Sequence, residues 1–229
     1  RARLSAIVGP FGLTLLALLP LSRLWRTGPT LDTLSQGRAD ELWGRYVLRL
    51  PLVDGAAILA DSEKFPPLYY LQQVAGLRPD LELVTLFSEA QYRADLAARL
   101  AAGQRVYLAR YLPGMDAFGV SAVGPLVAVA PPALAGVAAP AGVSFGEGHV
   151  LAAHQLRADP DGRPRHHLML TWGVVATPED DLEVRLRLVD PVTGAVVWRA
   201  DAARPVAGYT TTTAWQPGWQ VDDYHALAW

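Results

Sequence analysis

The stretch Ala56–Ala109 alternates between short apolar runs and amphipathic segments, and this alternation constrains the fold more than any other feature of the chain. The apolar run Ala56–Ala60 predicts a strand. The segment that starts at Pro66 and ends near Gly76 predicts a helix, because proline suits a first helical turn and glycine a last one. A strand, a helix and a second strand with short connections favour parallel strands joined by right-handed crossovers.

The same unit repeats further along the chain. Leu81–Leu86 predicts the second strand, and Ser88 with Gln91 forms a capping box that opens a helix running to about Ala102. The run "RVYLA" predicts a third strand, and "VGPLVAVA" predicts a fourth. The sequence therefore predicts a small three-layer α/β module with a parallel sheet over residues 28–130.

The second half of the chain follows a period of two. Residues 131–142 are rich in proline and alanine and predict a linker. Beyond them, Leu182–Leu188 alternates apolar and charged residues, "DPVTG" predicts a hairpin turn, and "HVLAAHQL" and "HHLMLTWGV" predict earlier strands. We expect an antiparallel β-sandwich over residues 143–229. Because Trp229 ends a strand-like run, we expect this sandwich to be incomplete.

The N-terminal residues 1–27 carry a long uncharged run. Between Arg3 and Arg23 lie 19 uncharged residues, which as a helix would span about 28 Å, close to the thickness of a bilayer's hydrocarbon core. A signal peptide and a buried core helix are the alternatives. The basic and aromatic flank "SRLWRTGPT" favours a transmembrane helix over a signal peptide, since no small-residue cleavage site follows the run.

Composition excludes several functional classes. The net charge of −2 gives no basic surface for nucleic acid, so no nucleic-acid partner is predicted. The chain has no cysteine, and hence no disulfide framework or thiolate nucleophile. The first predicted strand-to-helix turn lacks a glycine-rich phosphate loop, so no nucleotide cofactor is predicted. Adjacent His166 and His167 on a strand would point to opposite faces, which disfavours a metal site.

Charged and polar residues follow each strand of the predicted parallel sheet. Ligands bind at such carboxyl ends in open α/β sheets, so these residues are candidates for contacting a polar ligand: Asp61, Ser62, Glu63, Ser88, Glu89, Arg110 and Tyr111. The alternative is that Ser62, Ser88 and Glu89 act as helix caps and dipole partners. Tyr69, on the outer side of the first helix, is a further candidate contact, facing a neighbouring membrane domain. Arg78 and Asp80 are expected to fix a turn through a salt bridge.

Aromatic residues and carboxylates concentrate near the C-terminus. Trp215, Trp219 and Asp223 could contact a sugar by stacking and hydrogen bonding. The alternative, which tryptophans in small sandwiches favour, is that these aromatic side chains belong to the core. No nucleophile elbow or other Ser/His/Asp pattern supports a soluble hydrolase.

Two stretches resemble bacterial polytopic membrane proteins related to protein O-mannosyltransferases. "AAILADSEKFPPLYYLQQVAGLRPDLELVTL" resembles the segment that follows the last membrane helix in that family, where a strand and a polar turn precede an "fPLWYLQ.VEGvRPDV" pattern. "GYTTTTAWQPGWQVDDYHAL" is similar to a "G.yPT..W.pGe.v.D.y.L" pattern that closes an accessory β-domain in some members.

The resemblance implies an integral-membrane glycosyltransferase that takes sugar from a polyprenyl-phosphate donor on the extracytoplasmic side. The family's catalytic carboxylate lies in an early loop among many membrane helices, so the resemblance gives this chain no catalytic residue. It implies the last membrane helix and an extracytoplasmic accessory portion. The implied partners are the lipid bilayer, the remaining membrane domain of the same protein, and a polyprenyl-linked sugar or glycan acceptor. A membrane-anchored binding or assembly module without transferase activity is the alternative.

Overall fold

The structure, a computed structural model, describes residues 37–130, 142–146, 148–159 and 165–228. The chain divides into two compact units, Arg1–Trp43 and Gly44–Trp229. Residues 37–43 of the first unit are helical, and so are residues 44–48 of the second. The predicted membrane span in residues 1–27 lies outside the described residues, as does the predicted linker up to residue 141. None of the helices in the described ranges combines the length and the apolar character that crossing a membrane requires.

The α/β part of the second unit contains a mixed five-stranded sheet. Its strands are β1 (Ala57–Leu59), β2 (Glu82–Val84), β3 (Val106–Leu108), β4 (Gly119–Val123) and β5 (Leu126–Ala130). They lie in the order β2-β1-β3-β5-β4. β1 pairs in parallel with both β2 and β3. The predicted strand, helix, strand, helix, strand order is therefore confirmed for the first three strands.

The sheet contains parallel strands as predicted, but it is mixed, because the predicted fourth strand, β5, and the unpredicted β4 are antiparallel. β5 pairs antiparallel with both β3 and β4. The reason is local, because Val123 pairs with Leu126 and only Gly124 and Pro125 connect the two strands. Gly124 has a φ of 57°, which glycine adopts without the steric cost that a side chain brings. A two-residue connection of this kind reverses the chain and cannot join parallel strands.

Two helices cover the parallel strands. Helix α1 (Phe65–Ala75) has proline in its first turn and is closed by Gly76 at a φ of 64°, as predicted. Helix α2 (Glu89–Ala101) starts at a capping box between Ser88 and Gln91, also as predicted. Because β2 and β3 flank β1 on opposite sides, crossovers of the usual right-handed sense would put the helices on opposite faces of the sheet.

The turn between α1 and β2 is held by polar side chains. Gln72 Nε2 donates to the carbonyl oxygens of Arg78 at 2.9 Å and Leu81 at 2.7 Å. Arg78 itself has a φ of 47°, and its Nη2 lies 2.8 Å from Asp80 Oδ2 and 3.2 Å from Asp54 Oδ1. The predicted salt bridge between Arg78 and Asp80 is confirmed. These contacts explain why the "YLQQVAGLRPD" stretch holds a compact turn at a positive φ.

Antiparallel strands make up the rest of the second unit. They are β6 (Val143–Phe145), β7 (His149–Ala158), β8 (His166–Val174), β9 (Arg187–Val189), β10 (Val196–Arg199) and β11 (Gln220–Leu227). One sheet has the order β11-β8-β7-β6, and β9 and β10 form a separate hairpin. The predicted strand Leu182–Leu188 forms only in part, because before β9 a single bridge joins Val184 to Ala203. Its alternating pattern reflects partial burial, since Val184 and Leu186 pack against the core.

One buried core runs through the second unit. It contains side chains from α2 and β3, such as Tyr92 and Leu108, together with Trp172 of β8 and Val221 of β11. This core draws on side chains from both sides of the predicted linker at residues 131–142. The two large sheets also meet directly, since the backbone N–H of Asp222 in β11 donates to Ser121 Oγ in β4 at 3.0 Å.

Candidate functional site

The carboxyl ends of the three parallel strands form the candidate site. Asp61 follows β1 after one residue, and Arg110 follows β3 at the same distance in sequence. Since β1 pairs with both β2 and β3, Asp61 lies at the central strand of this edge. Open α/β sheets bind ligands at this position, where the strand order reverses.

The carboxylate of Asp61 stabilises the turn that leads into α1. Its Oδ1 accepts hydrogen bonds from the backbone N–H groups of Glu63 at 3.0 Å and Lys64 at 2.8 Å. Ser62 and Glu63 are exposed within that turn. Asp61 therefore stabilises the turn before α1, while the N-cap residue Lys64 makes no side-chain cap of its own. Both of these hydrogen bonds use the same carboxylate oxygen.

The predicted capping of α2 is also observed. Ser88 Oγ accepts from the backbone N–H of Gln91 at 3.3 Å, and Glu89 pairs with Arg93 at 2.7 Å one helical turn later. Ser88 and Glu89 therefore make local contacts that stabilise the first turn of α2, in line with the alternative that they act as helix cap and dipole partner.

Arg110 has a hydrogen-bond donor that the described residues do not use. Its guanidinium carbon lies 4.4 Å from the centroid of the Tyr92 ring, a cation–π contact. Its Nε is buried and has no hydrogen-bond partner among the described residues. A buried N–H without a partner is costly, and the cost is greater for a charged group. The guanidinium of Arg110 therefore carries one donor whose hydrogen-bonding capacity is unmet by the described residues.

Tyr92 fixes the surface on which Arg110 lies. The Tyr92 hydroxyl donates to the carbonyl oxygen of Ala60 at 2.6 Å and accepts from the backbone N–H of Leu86 at 2.8 Å. The ring is fully buried and joins the ends of β1 and β2. Sequence reasoning missed this residue, because a tyrosine on the apolar face of a predicted helix has no signal that separates it from packing.

Tyr209, from the C-terminal half of the chain, packs at this edge against Tyr111, which follows Arg110 after β3. The Tyr209 hydroxyl donates to the carbonyl oxygen of Arg110 at 2.8 Å, and the Tyr111 hydroxyl donates to that of Gly208 at 3.2 Å. The two rings meet edge to face at 5.3 Å. Burial raises the pKa of Tyr209, and the negative charge of Asp61 raises it further. Asp61, Arg110 and Tyr111 are thus brought to one edge, as predicted.

The remaining predicted site residues lie elsewhere. Tyr69 is half exposed on α1 and stacks on Phe65 at 5.3 Å. Trp215, Trp219 and Asp223 are buried, with exposed fractions of 1%, 8% and 0%. This burial fits the core alternative for the two tryptophans, since a sugar platform needs an exposed ring face. Asp223 accepts hydrogen bonds from the backbone N–H of Val206 at 2.8 Å and from Trp172 Nε1 at 3.4 Å.

The chemistry available at this edge is binding of an anion. A guanidinium with a free donor, fixed by an aromatic ring, matches a phosphate or carboxylate oxygen. Within the described ranges, no three His, Asp or Glu side chains are grouped so that they could hold a metal ion.

Comparison with protein-family models, with curated proteins and with solved structures gives no match to this chain.

Proposed function

We propose that this chain is the C-terminal, extracytoplasmic portion of an integral-membrane glycosyltransferase that takes sugar from a polyprenyl-phosphate donor. In this proposal the chain is accessory: it binds and positions, and the sugar transfer takes place elsewhere in the parent protein. The resemblance of the Ala56–Leu86 and Gly208–Leu227 stretches to membrane glycosyltransferases supports it. The observation that carries it is Arg110, whose buried Nε has no partner among the described residues.

Arg110 would bind the phosphate of the donor. A phosphate oxygen would accept the unused Nε–H, and the Tyr92 ring would hold the guanidinium plane in place. The hydroxyl of Tyr209 fixes the backbone of Arg110 from the other side, at 2.8 Å from its carbonyl oxygen. The side chain is therefore ordered before a ligand arrives, which lowers the entropic cost of binding.

The test uses the full-length parent protein in membrane vesicles with a polyprenyl-phosphate sugar as donor. Arg110→Gln should raise KM for the donor about 10-fold or more, the effect of one lost charge-assisted hydrogen bond. Arg110→Lys should recover only part of the affinity, because an ammonium cannot present the planar donors of a guanidinium. Arg199→Gln, at an exposed arginine of β10, is the matched control. An unchanged KM in Arg110→Gln, at normal expression, would refute the proposed role.

A membrane-anchored binding module without transferase activity is the second candidate, and the apolar cavity beside Trp215 favours it. The gene upstream of Arg1 separates the two. Many further apolar spans with an acidic first outer loop would support the transferase. A start codon a few residues upstream would support the binding module.

On the same proposal, the protein resides in the cell membrane with its soluble part outside the cytoplasm. The bilayer and the remaining membrane domain are then its neighbours, and Tyr69 on the exposed side of α1 is available to contact that domain.

We also propose that the β9–β10 hairpin and the segment before it form the second layer of a β-sandwich over the β11-β8-β7-β6 sheet. Val184 and Leu186, which pack against the core, support this arrangement.

A further inference from the structure

An apolar cavity of about 520 Å³ lies in the antiparallel part of the second unit. It is bounded by residues of β7 and β8 and by the segment that precedes β9. Apolar and aromatic side chains form most of its wall: Leu151, Leu170, Trp172, Val184, Leu186 and Trp215. A cavity of this size and character is typical of a small-molecule site.

Trp215 lines this cavity and carries an unused hydrogen-bond donor. The side chain is 1% exposed, and its Nε1 has no hydrogen-bond partner among the described residues. An indole N–H can only donate, so it needs an acceptor oxygen or nitrogen. Trp172 lines the same cavity but differs in this respect, because its Nε1 donates to Asp223 Oδ2 at 3.4 Å.

His149 contributes a second unused nitrogen. Its ring is 5% exposed, and the centroid lies 5.7 Å from that of Trp215. Its Nε2 is buried without a partner in the described part of the chain. Burial lowers the pKa of His149, so the imidazole is neutral at neutral pH. A neutral imidazole offers one N–H and one lone pair, and either can meet a polar group of a ligand.

The charged residues of the cavity wall pair with each other. Arg185 Nη2 lies 3.6 Å from Glu183 Oε2, and both side chains are at least half exposed. The buried polar side chains of the wall are neutral: Trp215, His149 and Thr212, whose hydroxyl already accepts from the backbone N–H of Leu182. A charged ligand placed beside them would lose its hydration without gaining a counter-charge, which is costly.

We propose that this cavity binds a neutral, largely apolar small molecule whose carbonyl or hydroxyl oxygen accepts a hydrogen bond from Trp215 Nε1. The apolar part of the molecule fills the space between β8 and the segment Leu182–Leu186, and the same oxygen or a neighbouring polar atom meets His149 Nε2. This site is independent of Arg110 and of the glycosyltransferase proposal, since none of the lining residues lies at the carboxyl edge of the parallel strands.

The test uses three probes of similar size with the whole 229-residue chain. They are 2-acetylnaphthalene, which has a carbonyl oxygen, 2-ethylnaphthalene, which lacks it, and 2-naphthoate, which is charged. Each is titrated while the tryptophan indole N–H resonances are followed in ¹H–¹⁵N NMR spectra. The ketone should move the Trp215 resonance downfield and bind about 3- to 10-fold more tightly than the hydrocarbon, the effect of one hydrogen bond. Naphthoate should bind most weakly.

Two controls keep the result interpretable. The Trp172 indole resonance should move much less, since its N–H already has an acceptor within the protein. Leu182→Trp, which places a larger side chain in the cavity wall, should abolish the change while the spectrum remains that of a folded protein. Three results would overturn the proposal: no movement of the Trp215 resonance, the same movement in Leu182→Trp, or equal binding of ketone and hydrocarbon. Naphthoate binding as tight as that of the ketone would overturn the assignment of a neutral ligand.

Discussion

The backbone N–H of Val206 donates a 2.8 Å hydrogen bond to Oδ1 of the fully buried Asp223. Val206 has a φ of 49°, a conformation that is unfavourable for a β-branched residue. The other oxygen of Asp223 lies 2.8 Å from His225 Nε2 and 3.4 Å from Trp172 Nε1. One carboxylate therefore fixes a strained turn, β8 and β11 at a single point in the core.

Replacing Asp223 by alanine should strongly destabilise the protein. The change leaves Val206 N–H, Trp172 Nε1 and His225 without their acceptor, at about 1–3 kcal/mol for each buried group left unpaired. We expect the free energy of unfolding to fall by at least about 3 kcal/mol, measured by urea denaturation. Asp201→Ala, at an exposed aspartate, should change it by less than about 0.5 kcal/mol. A loss no larger than that of the control would contradict the structural role of Asp223.

Ala207→Gly should stabilise the protein, although glycine usually destabilises. Ala207 is exposed and has a φ of 50°, so glycine would remove steric strain at little loss of buried surface. We expect a gain of about 0.5–1 kcal/mol in the free energy of unfolding. The matched change Ala97→Gly, at an exposed position inside α2, should lower it by about as much. A lower free energy of unfolding in Ala207→Gly, as in Ala97→Gly, would show that the left-handed turn is not strained.

Gln72→Glu should destabilise the turn between α1 and β2. The amide nitrogen of Gln72 donates to two carbonyl oxygens, and a carboxylate would set negative charge against both of them. We expect a loss of about 1–3 kcal/mol, measured as a lower urea midpoint at pH 7. Gln73→Glu, its exposed neighbour on α1, is the control and should have little effect. Equal midpoints for the two variants would count against the hydrogen bonds of Gln72.

The Arg78–Asp80 pair should make stability depend on acid pH. The hydrogen bond from Arg78 lowers the pKa of Asp80 from 3.8 to about 2. Because the folded pKa lies below the unfolded one, the pair's contribution is complete above pH 3.8 and is lost as the pH falls towards about 2. The stability difference between wild type and Asp80→Asn should therefore be constant near neutral pH and shrink below about pH 4. If wild type and Asp80→Asn differ in stability by the same amount near neutral pH and below about pH 4, the pair does not make stability depend on pH.

Local signals made the α/β part predictable from the sequence. Pro66, Gly76 and the capping box at Ser88 act within one helical turn, so the ends of α1 and α2 could be read directly. The direction of β5 could not, because an apolar run looks the same in parallel and antiparallel pairs. The strand order alone predicted that Asp61 and Arg110 lie at the same edge of the sheet. The contact of Tyr209 with Arg110 could not be predicted, because the two residues are 99 positions apart in sequence.

In the antiparallel part, the sequence predicted the positions of strands but not the polar contacts between them. β8 coincides with the "HHLMLTWGV" run, and the turn before β10 with "DPVTG". Whether Trp215 and His149 lie side by side depends on how distant segments pack, and no sequence period encodes this. The burial of Asp223 likewise contradicts the usual exposure of aspartate and becomes intelligible only from its three hydrogen-bonding neighbours.

The contact between Ser121 and Asp222 bears on how the chain folds during its synthesis. The two residues lie 101 positions apart, and β11 supplies Val221 to the same core as β3 and α2. A nascent chain can pair β1, β2 and β3 early, because those strands are close in sequence. Its core stays open until β11 has left the ribosome tunnel. We therefore expect the emerging α/β segment to need protection from aggregation, of the kind that chaperones give, until that last strand arrives.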